Sequence, residues 1–110
     1  MKERKKEILF ILLQLVPIGK VTTYRSLAKI MKTSPRAVGR MLKQNDKPVV
    51  IPCHRVVRTS GDLGGYTLGG KEDRGFKLKL LKLEDVVMSR DRVSSESLIR
   101  LDEVLLGSSR

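Results

Sequence analysis

The only cysteine of the chain, Cys53, is followed directly by the only histidine, His54. A thiolate is a strong nucleophile, and a cysteine reaches that form with help from a positive charge, a helix N-terminus or a base. The sequence offers all three next to Cys53. Pro52 is suited to begin a helical turn with Cys53 at its N-terminus, His54 is a base, and Arg55 carries a positive charge. Adjacent side chains diverge in a helix or a strand, so His54 would act on the sulfur through a bridging water. The pair is therefore compatible with nucleophilic chemistry.

A structural interpretation of the same cysteine is favoured when the pair is considered alone. Most lone cysteines are small buried apolar residues with no reaction to perform. A single cysteine also excludes an internal disulfide and a zinc site built from several cysteines. No metal site is predicted.

The composition predicts one small folded domain with a polyanionic partner. The 110 residues carry a formal net charge of +11, with 40% hydrophobic and 32% charged residues, which is unlike a disordered tail or a membrane span. Residues 19–60 hold ten basic side chains against the single acid Asp46. Because each Lys or Arg beside a phosphate releases counterions and adds affinity, a nucleic acid is the natural partner. A solvated basic surface explains the net charge equally well.

No segment of the sequence has the length of a membrane span. The longest apolar run, residues 8–13, has six residues, whereas a spanning helix needs about 20. The same run is too short for a secretory signal and lacks a small-residue cleavage site. We therefore expect a cytoplasmic protein that associates with DNA, in a nucleoid or a nucleus, and has no membrane partner.

Helix signals dominate the first half of the chain. Residues 2–16 predict a helix that ends before Pro17. Thr23 is suited to cap a second helix over residues 24–31, and Ser34 followed by proline predicts a third over residues 35–43. The expected inward face of the first helix consists of Ile8, Leu9, Ile11, Leu12 and Leu15.

Two short helices joined by a tight turn form a helix-turn-helix pattern at about residues 24–43. In this pattern the second short helix approaches DNA, and Arg36, Arg40 and Lys43 share one face of it at spacings of four and three. Three ordinary amphipathic helices with basic surfaces would have the same spacing. The fold predicted is mainly α, a winged-helix-like three-helix domain with a very small β element near Val56.

The second half of the chain mixes short apolar segments with a glycine-rich loop. Residues 48–52 predict a buried extended segment, and residues 56–57 a brief strand. Five of the nine glycines fall within residues 61–70, which indicates a loop that forms the wall of a site. Residues 73–84 predict a helix, and residues 95–106 a short one. In the helix over residues 73–84, we expect Phe76, Leu80 and Leu83 to face inward and Lys77, Lys79 and Lys82 to face outward.

The whole string Ile51-Pro52-Cys53-His54-Arg55-Val56-Val57 resembles the active-site signature of the O6-alkylguanine-DNA alkyltransferases, also called methylated-DNA–protein-cysteine methyltransferases. The resemblance extends from about Ile8 to Glu84 and covers that family's DNA-binding and active-site domain only. It implies such a domain over residues 1–86, followed by an extension over residues 87–110. Further matching positions are Val21-Thr22-Thr23-Tyr24, Arg36-Ala37-Val38-Gly39, Asn45 and Gly64-Gly65-Tyr66.

The resemblance assigns catalytic roles to four residues. Cys53 matches the cysteine that accepts the alkyl group, and His54 the histidine that activates it through water. Glu84 matches the glutamate that orients this histidine. Tyr24 matches the tyrosine that helps to rotate the nucleotide and stabilises the departing guanine.

The resemblance also implies a DNA surface and a base pocket. Arg36 matches the arginine that enters the duplex in place of the extruded base, and Asn45 matches a hinge between the recognition helix and the reactive turn. The implied DNA-binding residues are Thr23, Tyr24, Arg36, Arg40, Lys43, Asn45 and Arg55. The implied base pocket consists of Tyr24, Val56, Gly64, Tyr66 and Thr67.

The function implied is DNA repair by a single, stoichiometric transfer of an alkyl group from O6-alkylguanine in duplex DNA to Cys53, after the nucleotide is flipped out. The reaction needs no metal or cofactor, and we expect a monomer whose partner is double-stranded DNA that contains the lesion. Two alternatives stay open, a non-catalytic protein that binds the lesion and a helix-turn-helix transcription regulator.

Overall fold

The computed structural model describes residues 2–47, 49–68 and 71–107, and these residues form five α-helices and three short strand pairs. The mainly α fold predicted from the sequence is confirmed. None of the described helices has the length and apolar character needed to cross a bilayer. The helices are α1 (Lys2–Leu13), α2 (Tyr24–Met31), α3 (Pro35–Leu42), α4 (Arg74–Leu83) and α5 (Leu101–Leu106).

Short strand pairs link these helices. β1 (Thr22–Thr23) pairs in parallel with β2 (Val56–Val57), with Thr22 opposite Val56. This pair brings the start of α2 beside the chain that leaves Cys53, because a 3₁₀ turn over Cys53–Arg55 leads directly into β2. The other strands form two antiparallel pairs, β3 (Thr67–Leu68) with β4 (Lys71–Glu72) and β5 (Met88–Ser89) with β6 (Arg92–Val93).

Local capping defines the helix-turn-helix. The Thr23 hydroxyl accepts a 2.9 Å hydrogen bond from the Ser26 amide at the start of α2, and the Ser34 hydroxyl accepts one of 3.1 Å from the Ala37 amide at the start of α3. Between the helices, Lys32 adopts the left-handed conformation at φ 56°. Both N-caps were predicted from residue type, because serine and threonine satisfy amides that the first helical turn leaves free.

The buried face of α1 differs from the predicted one. Leu9, Leu12, Leu13 and Val16 pack into the core with α2 and α3. Three residues expected to face inward are exposed instead, with exposed fractions of 43% for Ile8, 65% for Ile11 and 51% for Leu15. Residues 8–13 are all apolar, so two adjacent faces of α1 are equally apolar in the sequence. Packing against α2 and α3 decides which of the two faces is buried.

Two further burial predictions were wrong. Residues 49 and 50 were expected in a buried segment, but Val49 and Val50 are 44% and 72% exposed, and the Ile51 amide closes a turn onto the Lys47 carbonyl. In α4, Leu83 is 79% exposed whereas Lys77 is fully buried. The inward face of α4 therefore contains a lysine that an amphipathic pattern assigns to solvent.

The chain after residue 86 packs onto the helix-turn-helix. The Val21 amide donates to the Ser97 carbonyl at 2.8 Å, and the Ile99 amide donates to the Val21 carbonyl at 2.7 Å. Leu101 lies in the same core as α1, α2 and α3. The helix predicted over residues 95–106 is interrupted, because Ser95–Ser97 form a 3₁₀ turn and α5 begins only at Leu101.

Truncating Leu101 should destabilise the whole domain. Leu101 is 3% exposed in the core, so Leu101→Ala should lower the free energy of unfolding by about 2–4 kcal/mol. Leu105→Ala on the same helix is the matched control, since Leu105 is 45% exposed and should lose less than about 1 kcal/mol. Urea denaturation followed by circular dichroism measures both values. Equal losses in the two variants would show that α5 does not belong to the cooperative core.

Candidate active site at Cys53

Asn45 ties the reactive turn to the end of α3. Its side-chain amide donates to the Cys53 sulfur at 3.2 Å and to the Ile51 carbonyl at 2.9 Å, and its oxygen accepts from the Lys47 amide at 2.9 Å. Cys53 itself is 6% exposed. Asn45 therefore links the end of α3 to the turn that contains the sulfur through hydrogen bonds to Lys47, Ile51 and Cys53.

His54 and Glu84 form a buried pair behind the turn. The His54 side chain is fully buried, and its Nε2 lies 2.9 Å from Glu84 Oε2. A carboxylate accepts only from a protonated nitrogen, so Nε2 carries the proton and Nδ1 presents a lone pair. Nδ1 has no hydrogen-bond partner among the described residues. This tautomer leaves an acceptor available for a proton that departs from the thiol.

Arg55 completes the carboxylate contacts and is a correction to the predicted DNA surface. Its Nε and Nη2 donate to the two oxygens of Glu84 at 2.9 and 2.8 Å, and its Nη1 donates to the Val16 carbonyl at 2.9 Å. The side chain is only 12% exposed. Because its guanidinium is occupied by protein acceptors, Arg55 holds α1, the reactive turn and Glu84 together instead of contacting a phosphate.

Thr23 is a second correction to that surface. Its side chain caps α2 and the residue is 5% exposed. A hydroxyl that already accepts from the Ser26 amide and lies almost wholly inside the protein is poorly placed for a phosphate.

The pKa values define the resting protonation state of the site. Burial lowers the pKa of His54, although Glu84 acts in the opposite direction, so the imidazole is neutral near pH 7. Burial alone would raise the pKa of Glu84, but hydrogen bonds from Arg55 and His54 outweigh it and lower that pKa. Burial raises the pKa of the Cys53 thiol against the hydrogen bond from Asn45 and the charge of Lys77. The site therefore combines a thiol, a neutral imidazole and a carboxylate.

A pocket of about 570 Å³ opens onto Cys53 between the helix-turn-helix and the loop over residues 58–66. Tyr24, Gly64 and Tyr66 line it. Gly64 has φ +70°, and a Cβ there would lie 3.2 Å from the Tyr24 hydroxyl, so only glycine leaves this space open. Burial raises the pKa of Tyr24, and the phenol stays protonated and able to donate a hydrogen bond.

The other two predicted pocket residues are Val56 and Thr67. The Val56 side chain is fully buried in the core and does not line the pocket, while its carbonyl accepts a hydrogen bond from Lys77 at 2.7 Å. Thr67 lies in β3, and its side chain falls outside the described part of the structure. The Tyr66 ring packs against Phe76 with centroids 6.2 Å apart. Its hydroxyl is buried and forms no hydrogen bond with any described residue.

Basic side chains surround the mouth of the pocket. Arg36 and Lys43 of α3 line it and are exposed, while Arg40 is exposed on the same helix outside the pocket. Arg25 and Arg58 also line the pocket, and neither was singled out from the sequence. The sequence indicated them only through the excess of basic residues in the segment 19–60. That excess does not show which of these side chains meet at the pocket.

The described residues offer no metal site. No group of three or more His, Cys, Asp or Glu side chains converges in residues 2–47, 49–68 and 71–107. The Cys53 site is thus built from a nucleophile, an imidazole and hydrogen-bonding groups.

Comparisons with known proteins show the family of the chain. The family model of the 6-O-methylguanine DNA methyltransferase DNA-binding domain matches residues 4–86. The methylated-DNA–protein-cysteine methyltransferase of Archaeoglobus fulgidus is 49% identical over 73 residues, which are 64% of this chain and 49% of the relative. The chain therefore spans about half the length of the curated relatives it matches.

Solved structures share the fold. Mycobacterium tuberculosis OGT in complex with DNA is 33% identical, with a TM-score of 0.63 over 72% of this chain and 47% of that one. Schizosaccharomyces pombe Atl1, in complex with damaged DNA that contains O6-carboxymethylguanine, has a TM-score of 0.73 over 88% of this chain and 95% of that one. At 19% identity, Atl1 shows a shared fold alone. Because the family model matches most of the sequence, from α1 to beyond Glu84, the chain belongs to the family of the 6-O-methylguanine DNA methyltransferase DNA-binding domain.

Proposed function

We propose that this protein repairs DNA by transferring an alkyl group from O6-alkylguanine in duplex DNA to Cys53. One observation carries the proposal: Cys53 lines a pocket that opens beside the exposed basic face of α3, and the buried His54–Glu84 pair lies directly behind it. Relatives close to 50% identical are named methylated-DNA–protein-cysteine methyltransferases.

The chemistry is a displacement at the alkyl carbon. The Cys53 thiol gives its proton through a water to Nδ1 of neutral His54, and the sulfur then forms a bond to the alkyl carbon as the carbon–O6 bond breaks. The electron pair of that bond leaves with guanine, which takes up a proton from water to give the ordinary base, while His54 returns its extra proton to water. The phenol of Tyr24 donates a hydrogen bond to the departing guanine. Because a thioether is a poor leaving group, each chain reacts once.

The base must leave the duplex to reach the sulfur. The O6 position lies within the stacked helix, and extruding a nucleotide costs a few kcal/mol. α3 presents Arg36 at the mouth of the pocket, where its side chain would fill the gap left in the stack. The surrounding basic residues bind the phosphates on either side.

Binding of the lesion without transfer is the second candidate function. It is favoured by the burial of Cys53, which raises the pKa of the thiol and keeps it protonated at rest. A transcription regulator with the same helix-turn-helix would instead select an undamaged sequence. The alkylation state of Cys53 after exposure to a lesion separates these functions.

Incubation with a duplex that contains O6-methylguanine should leave one methyl group on the protein. Peptide mass spectrometry should locate it on Cys53, and the DNA strand should return to unmodified guanine. An undamaged duplex of the same sequence and the variant Cys53→Ser are the controls, and neither should produce a methylated protein. Tight binding to the methylated duplex with an unmodified Cys53 would support lesion binding and contradict transfer.

Replacing Arg36 should slow transfer by more than it weakens binding. Arg36→Ala is expected to reduce the transfer rate from saturating duplex by roughly tenfold or more, since part of the few kcal/mol needed for extrusion is lost. Transfer from a free alkylated guanine base, which needs no extrusion, should be unchanged. Arg40→Ala is the matched control, because Arg40 is exposed on the same helix outside the pocket. The role of Arg36 is refuted if both variants lose only affinity.

Replacing Glu84 should change both the rate and its pH dependence. The wild-type rate should fall on acidification only below the ordinary His54 pKa of 6.5, since burial lowers that pKa and a neutral imidazole is required. Glu84→Gln removes a charge that raises the His54 pKa, so the acidic limb should move to still lower pH, with a rate at the plateau at least about tenfold slower.

Asp85→Asn removes an equal charge from the neighbouring exposed residue and should keep the wild-type profile. Thermal unfolding of each variant verifies that it is folded under the conditions of the assay. An acidic limb that stays at the same pH in Glu84→Gln would show that His54 is not the base.

A further inference from the structure

Lys77 is a buried cation with an unusual set of partners. It is fully buried in α4, and its ammonium donates hydrogen bonds to the carbonyls of Val56 at 2.7 Å, of Leu63, and of Gly65 at 3.1 Å. An ammonium has three N–H donors, so these carbonyls use all of them. Within the described part of the chain, no carboxylate forms an ion pair with Lys77. A leucine would avoid the cost of burying this charge.

The three carbonyls belong to two segments of the chain that adjoin the pocket: the strand after the Cys53 turn and the loop around Gly64. Val56 begins β2, directly after the 3₁₀ turn that carries Cys53. Leu63 and Gly65 flank Gly64, and both glycines line the pocket. Glycine-rich backbone has a large conformational freedom to lose on ordering. Lys77 therefore links the glycine loop (residues 61–66) to the segment that follows the Cys53 turn through hydrogen bonds to both.

The charge of Lys77 also acts on the interior of the pocket. Its Nζ lies 5.9 Å from the centre of the Tyr24 ring. Burial lowers the pKa of Lys77 to about 7, and Arg58 and Arg74 act in the same direction, while Cys53 and Asp62 favour the ammonium. The same charge lowers the pKa of the Cys53 thiol. The three carbonyl acceptors add to the groups that favour the charged form, because a neutral amine has only two N–H donors.

We propose that Lys77 is a positioning residue for the alkyl transfer, which holds the glycine loop against the Cys53 turn and places a positive charge near the sulfur. This inference rests on the proposed function, since it concerns the same pocket. It adds a residue of α4, far from the Cys53 signature in the sequence, to the groups that prepare the thiol and shape the cavity for the base.

Lys77→Met tests both parts of this role, because methionine has a similar length and no N–H donors. Transfer of a methyl group from duplex DNA should become roughly ten- to hundredfold slower, as expected when the pocket is misplaced by about 1 Å. In the absence of DNA, the reaction of Cys53 with iodoacetamide at pH 6, where the ammonium of Lys77 is charged, should be slower than in the wild type, because the thiolate loses a nearby cation. Lys79→Met is the matched control, with an exposed lysine on the same helix.

The direction of the change in thiol reactivity at pH 6 separates positioning from mere stability. A loosened pocket would expose the sulfur to water and remove the burial that raises its pKa, so Cys53 would react faster with iodoacetamide. The proposal is overturned if Cys53 of Lys77→Met reacts at pH 6 as fast as in the wild type or faster, or if this variant transfers as fast as Lys79→Met. A wild type that never becomes methylated would refute the proposed function, while the thiol measurement would still decide whether Lys77 acts on the sulfur.

A measurement on the wild-type protein covers the case in which Lys77→Met does not fold. Nitrogen-15 NMR of lysine side chains at pH 6 should show one ammonium group whose protons exchange slowly with water, and Lys77→Arg should remove that signal. Only rapidly exchanging lysine signals in the wild type would contradict the three hydrogen bonds on which the proposal depends.

Discussion

The contact between the Glu84 carboxylate and the pair His54 and Arg55 is the interaction on which the rest of the site depends. One carboxylate, 14% exposed, accepts hydrogen bonds from three nitrogens of the Cys53 turn. It fixes the imidazole tautomer, so that Nδ1 remains an acceptor. It also neutralises Arg55, whose remaining donor reaches the end of α1. A single buried carboxylate thereby joins the first helix, the reactive turn and the end of α4.

α4 contacts the reactive segment at two levels. Lys77 lies in α4 and Glu84 caps its C-terminus. The two residues are seven positions apart, which is two helical turns, so they lie on the same face of the helix. Glu84 accepts hydrogen bonds from His54 and Arg55, whereas Lys77 donates hydrogen bonds to the carbonyls of Val56 and Gly65. Asn45 supplies a third support from the end of α3. The thiol is therefore surrounded by groups from separate elements, and its chemistry depends on how α3 and α4 pack.

Features encoded within a few neighbouring residues could be predicted from the sequence, and features set by packing could not. The caps at Thr23 and Ser34 and the 3₁₀ turn at Cys53 depend on local residue types, and each is present. The buried stripe of α1 was misassigned because its run of apolar residues fits two registers. Arg55 was placed on the DNA surface by the family resemblance, because its partners Glu84 and Val16 are distant along the chain and the sequence does not show these contacts. Lys77 was assigned to solvent for the same reason, although its spacing of four from the buried Leu81 was a usable signal.

The central claim is that Cys53 itself accepts the alkyl group, once per chain. It is tested most directly with duplex DNA whose O6-methyl group is isotopically labelled and which is present in molar excess over the protein. We expect the label to move into the peptide that contains Cys53 and to reach a plateau at one methyl group per chain. Label that stays in the DNA while the complex forms, or that appears on a residue other than Cys53, would contradict the account.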